Sequence, residues 1–87
     1  MITLRELAST HARADVMDIM VWNNDTGDYD DMIGYEDFED LQKVVDNAIK
    51  DSKESIAQYL DYGLVDVEVG MYDPYKTYLR IEIVRGN

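Results

Sequence analysis

The 87-residue chain has room for one domain and one core, and its 46% hydrophobic share is that of an ordinary globular protein. Nineteen acidic residues against eight basic ones leave a net charge of −11, a field that repels nucleic acid and anionic membranes and attracts basic protein surfaces. The absence of cysteine excludes disulfide staples and thiolate metal sites, and neither a signal peptide nor a membrane span is expected, because the longest apolar run covers only residues 19–22.

No repeat or Pro/Gly/Ser linker divides the sequence, so residues 1–87 read as a single domain. Thr3-Leu4-Arg5-Glu6 matches a capping box, with Leu4, Leu7, Ala8 and His11 at helical spacing behind it, which predicts a short helix over 4–11. Val16, Ile19, Val21 and Trp22 predict a strand over 16–22 that runs into the turn-rich Asn23-Asn24-Asp25-Thr26-Gly27. A helix continuing through Met17 and Met20 is the competing reading. Met32-Ile33-Gly34-Tyr35 fits either a second short strand or an ordered loop.

From Glu36 onward, Phe38, Leu41, Val45, Ala48, Ile49, Ser52, Ile56, Tyr59 and Leu60 step by three and four along one stripe. That predicts a helix over 37–62 ended by Gly63, either unbroken or divided near Asp51-Ser52 with Ser52 as a second cap. Burial of the stripe implies that Ile49→Asp costs several kcal/mol. Finally, Val65, Val67 and Val69 alternate with Asp66 and Glu68, and Leu79, Ile81 and Ile83 alternate with Arg80 and Glu82. This predicts a hairpin of 64–69 with 77–84 turning at Asp73-Pro74, its Val65, Val67, Leu79, Ile81 and Ile83 mainly buried. The expected fold is α+β: a short N-terminal helix, a three- or four-stranded antiparallel sheet with a C-terminal hairpin, and one long or two shorter helices packed on one face.

Catalysis needs a poised nucleophile or a matched acid and base. The single histidine, His11, has no partner pattern around it, the three serines lie outside any nucleophile elbow, and no phosphate-binding glycine loop is present. Asp25 to Glu36 spans the twelve positions of an EF-hand loop, but Gly27 and Tyr29 occupy its third and fifth positions and Asp30 replaces the required glycine. No enzyme activity, cofactor or metal is expected.

The charge is localised. Residues 23–46 hold nine acids against Lys43 alone, a net −8, whereas the other 63 residues carry ten acids and seven bases, a net −3. Acids in a first helical turn gain about 0.3–1 kcal/mol each from the macrodipole, which accounts for some of Glu36, Asp37, Glu39 and Asp40. Asp25, Asp28, Asp30 and Asp31 gain nothing that way from a loop, and their crowding costs self-repulsion. Interleaved Tyr29 and Tyr35 can pack on guanidinium planes as nucleobases do. Asp25, Asp28, Tyr29, Asp30, Asp31, Tyr35, Glu36, Asp37, Glu39 and Asp40 therefore form the candidate partner-binding set. Phe38 reads as core. Tyr72, Tyr75 and Tyr78 mark a second candidate contact at the hairpin turn.

In size, charge and layout the chain resembles the small acidic anti-defence proteins of phages and mobile elements, the anti-CRISPR proteins and other DNA mimics. The residues that carry this likeness are Asp28-Tyr29-Asp30-Asp31 and Glu36-Asp37-Phe38-Glu39-Asp40, with the capped opening Ile2-Thr3-Leu4-Arg5-Glu6-Leu7. The resemblance implies an inhibitor, cytoplasmic in a bacterial host, that occupies the basic cleft of a CRISPR–Cas effector or restriction nuclease without binding nucleic acid or membrane itself. The alternative is a phage regulatory or assembly protein whose acidic face only keeps it solvated. On the mimic reading, Asn at Asp28, Asp30 and Asp31 weakens binding, and Asp66 and Glu68 on the distant hairpin serve as a control.

Overall fold

The computed structural model describes residues 1–37 and 39–86. The capping box forms as the sequence dictates: the Thr3 side chain accepts the Glu6 N–H at 3.2 Å, and the Glu6 carboxylate accepts the Thr3 N–H. Helix α1 is one turn long, Leu4–Ala8, and ends before His11, whose φ of 59° places it in a left-handed turn. Strands β1 (Arg13–Ala14) and β2 (Val16–Asn23) follow, then β3 (Asp28–Tyr35) and β4 (Glu39–Asp40). Helix α2 spans Leu41–Lys50, a 3-10 turn covers Ser55–Tyr59, and β5 (Gly63–Asp73) and β6 (Lys76–Val84) complete the chain.

Residues 28–35 are thus a strand, and β2 and β3 form a hairpin about Asn23. The Asn23 side-chain oxygen accepts the N–H groups of Asp25 (2.8 Å) and Thr26 (3.3 Å), and Gly27 takes the positive φ of 69° that closes the turn. The C-terminal hairpin pairs β5 with β6 around Asp73-Pro74. The two hairpins lie side by side in a four-stranded sheet of order β3-β2-β6-β5. Its central pair, β2 with β6, is parallel, with Ile19 opposite Ile81, so the sheet is mixed and not wholly antiparallel. Parallel neighbours need a long crossover, and residues 36–62 supply it as the helical layer.

That layer covers one sheet face. Leu4, Leu41, Val45 and Ile56 from the helical segments pack with Met17, Ile19 and Val21 of β2 and Leu79, Ile81 and Ile83 of β6. Each such side chain contributes about 1.5–3 kcal/mol by leaving water.

Four expectations change here. The helix starts at Leu41, not near residue 37, because Asp40 is its N-cap and accepts the Gln42 N–H at 2.9 Å, a bond worth about 1 kcal/mol. Before it, β4 pairs with β1, so Glu39 and Asp40 are extended. The break near 51 exists, but Asp51 makes it by accepting the Lys53 N–H at 3.1 Å, and no side chain caps the following 3-10 turn. Ile49 is 55% exposed and is not core. Val65 and Val67 are likewise exposed, at 51% and 39%: Val65 falls at the register irregularity between Leu64 and Asp66, and Val67 lies on the edge strand, where the helical layer leaves it uncovered. Phe38, expected on the buried stripe, lies outside the described residues, as does the side chain of Tyr72.

Candidate binding surface

Among the described residues no secondary-structure element covers the sheet face opposite the helices, and cross-strand register lays out what that face presents. One row reads Gly34, Asp18, Arg80, Glu68 across β3, β2, β6 and β5; the next reads Met32, Met20, Glu82, Asp66. Tyr29, Trp22 and Val84 make a third row, in which Trp22 and Tyr29 meet edge to face with ring centroids 5.1 Å apart. Long side chains lie across this face. The Tyr29 hydroxyl donates to Glu82 of β6 and accepts from Arg80 at 3.3 Å, and the Tyr78 hydroxyl donates to Asp18 at 3.1 Å. Beneath them Val16, Met20 and Val84 are buried without any helix above. The hydrogen bond to Glu82, then burial, holds the Tyr29 hydroxyl above the usual tyrosine range; burial, then Asp18, does the same for Tyr78.

The ten predicted site residues divide evenly. Asp25, Asp28, Asp30, Glu36 and Asp37 are exposed, and Tyr29, Asp31, Tyr35, Glu39 and Asp40 are half-buried. Most of the half-buried group has structural work. Asp31 accepts the Tyr59 hydroxyl at 3.1 Å from the helical layer, Asp40 caps α2, and Tyr29 spans the sheet. Burial, then Glu54 and Glu39, pushes the Tyr35 hydroxyl up to about 12. Asp30 accepts both of its bonds from the Asn23 amide, at 3.1 and 3.2 Å. Asp37 sits outside the helix it was expected to start, at a φ of 72° that aspartate tolerates better than most residues.

What the structure brings together is an acidic margin: Asp25, Asp28 and Asp30 around the β2–β3 turn, with Glu36 and Asp37 at the far end of β3. An eight-residue strand is about 26 Å long. Sequence reasoning missed the open-face acids Asp18, Glu82, Asp66 and Glu68, which three separate strands contribute. Asp66 and Glu68 share that face with Asp18 and Glu82 but lie on β5, at the opposite edge of the sheet from β3. Tyr75 stands 92% exposed at the hairpin turn, whereas Tyr78 belongs to the open face. A depression of about 590 Å³, lined by Trp22, Asn24, Asp25, Asp30, Val84 and Arg85, opens at the turn end of the margin. The twelve-residue span from Asp25 is turn and strand, without EF-hand geometry, and among the described residues no three potential ligands converge. No helix among the described residues is long and apolar enough to cross a membrane.

No protein-family model, curated protein or solved structure matches the chain.

The Tyr59 contact has a measurable pH signature. Burial, then the Asp31 bond, raises its hydroxyl from 10.0 to about 12. Ionisation is therefore harder in the folded chain than in the unfolded one. The stabilisation is complete below the unfolded value and is lost as pH climbs through the folded one. Tyr59→Phe should cost about 1 kcal/mol near pH 7 by removing the bond, and that deficit should shrink by about pH 11. Urea midpoints at the two pH values measure it; a constant deficit contradicts the assignment.

Proposed function

We propose that the chain is a non-enzymatic inhibitor that occupies the nucleic-acid-binding cleft of a host defence nuclease, its carboxylates standing where phosphates lie. The observation that carries this reading is the placement of five exposed carboxylates at the two ends of β3, Asp25, Asp28 and Asp30 around the β2–β3 turn and Glu36 and Asp37 past Tyr35. An antiparallel strand advances about 3.4 Å per residue, close to the roughly 3.4 Å of axis per phosphate on one strand of duplex DNA. Asp28 and Asp30 thus fit the scale of a phosphate ladder. An Arg or Lys side chain entering the depression beside them would meet Asp25, Asp30 and the Trp22 ring, with the chain's own Arg85 also in the lining.

A second reading has its own observation. Asp18, Asp30, Asp31, Asp40 and Glu82 all accept hydrogen bonds within the chain, so part of the acidity serves the fold. On that reading the protein is a phage regulatory or assembly factor with a solvated acidic face. Ionic strength separates the two. A mimic captures a CRISPR–Cas effector or restriction nuclease from bacterial lysate at low salt, blocks its DNA cleavage, and releases it as salt rises. Capture that persists unchanged at high salt favours the second reading.

A further inference from the structure

The two outer strands of the sheet protect their edges differently. On β3 the carboxylates of Asp28 and Asp31 accept the N–H groups of Tyr29 and Met32, at 2.8 and 2.9 Å, which occupies donors that an added strand would need. On β5 the N-terminal segment covers only the start: the Leu64 N–H donates to the Ile2 carbonyl at 2.7 Å, and Thr3 bridges Gly63. The ladder is irregular between Leu64 and Asp66. Past that point the Asp66 carboxylate takes the Val67 N–H at 3.0 Å, so this N–H faces the free side and is the one donor here that an added strand must recover from a side chain. Alternation turns the N–H groups of Val69 and Met71 the same way, and among the described residues no side chain bonds either of them. Val69 and Met71 are also 80% and 62% exposed. An apolar, uncovered edge of this kind recruits another strand.

We propose that β5 pairs antiparallel with β5 of a second copy of this chain, about a twofold axis through Val69. A twofold interface must be complementary to itself, and Val67-Glu68-Val69-Gly70-Met71 is. Reversed onto itself, Val69 meets Val69, Val67 meets Met71, and Glu68 meets Gly70. Neighbouring registers are worse. An axis at Val67 sets Asp66 against Glu68, an axis at Glu68 sets that carboxylate against its own copy, and an axis at Gly70 sets Val67 against Asp73. Like charges directly opposite destabilise a sheet. This edge is separate from the β3 margin, and its salt response has the opposite sign: screening strengthens the association of two chains of charge −11.

Gly70 provides the test, because a Cβ there meets nothing within 4 Å. Gly70→Lys places an ammonium opposite Glu68 of the second copy, twice per dimer. Asn47→Lys on the exposed side of α2 makes the same change in net charge elsewhere. Sedimentation equilibrium from low micromolar to near-millimolar protein, at moderate salt, should show a wild-type dimer. Gly70→Lys should tighten it roughly two- to thirtyfold relative to Asn47→Lys. A tighter, discrete dimer does not arise from failure to fold, which gives open-ended aggregation instead. A wild type that stays monomeric throughout leaves the edge to a foreign strand and overturns the proposal, as does a Gly70→Lys dimer no tighter than the control.

Discussion

Ile81→Asp should leave the chain largely unfolded at room temperature, whereas Ile49→Asp should cost less than about 1 kcal/mol. Ile81 is fully buried in β6, between Ile19 on β2 and Val67 on β5. The substitution forfeits about 1.5–3 kcal/mol of transfer free energy. A carboxyl held there must also be neutralised, and a lift of three to five pKa units corresponds to about 4–7 kcal/mol. A domain of this length has only about 4–13 kcal/mol in total. Ile49 lies on the helical stripe of residues 38–60 but is 55% exposed on α2, so a carboxylate there remains in water. Urea unfolding followed by circular dichroism reads both variants. Equal costs would mean that α2 packs through a different face.

The second large effect concerns binding. Asp25, Asp28 and Asp30 changed together to Asn should weaken association with the captured nuclease at least a hundredfold and leave the melting temperature nearly unchanged. Each charged hydrogen bond lost to a basic cleft costs about 1.5–3 kcal/mol, so even two such losses reach that factor. The side chains are exposed, and Asn at position 30 can still accept from Asn23. Asp31 is omitted because its bond to Tyr59 ties β3 to the helical layer. The suitable control is Asp46→Asn with Glu54→Gln, both exposed on the helical side. Isothermal titration with each protein reads the difference, and a triple variant that binds like the control leaves the β3 margin without a role.

These predictions differ from what the sequence alone implies, for identifiable physical reasons. Alternation and turn chemistry are local, so β2 and the C-terminal hairpin are legible from Val16 to Trp22 and from Val65 to Ile83, whereas residues 28–35 fit a strand or a loop equally and only the structure makes them β3. Alternation says which residues share a face; it does not say whether anything covers that face, as exposed Val67 shows, nor where a register irregularity interrupts it, as at Val65. The stripe from Leu41 to Leu60 kept a helical period across the Asp51 break, and Leu41, Val45, Ala48, Ile56, Tyr59 and Leu60 are buried as it implied. Ile49 fits the same period and is not. Acids at 36–40 imitated a first helical turn, while the structure uses Asp40 alone as the cap. The parallel pairing of β2 with β6 has no local signal. The acidic margin is a candidate from sequence because its residues fall within the short segment 25–37, whereas Asp18, Glu68 and Glu82 meet only through strand order.

Competition with DNA tests the central claim most directly. The captured nuclease is loaded with fluorescent duplex DNA, and the acidic protein is titrated in. The account predicts that DNA is displaced one for one, and that raising salt weakens the protein's hold along with that of DNA. A ternary complex in which nuclease, DNA and this protein bind together without interference would contradict it.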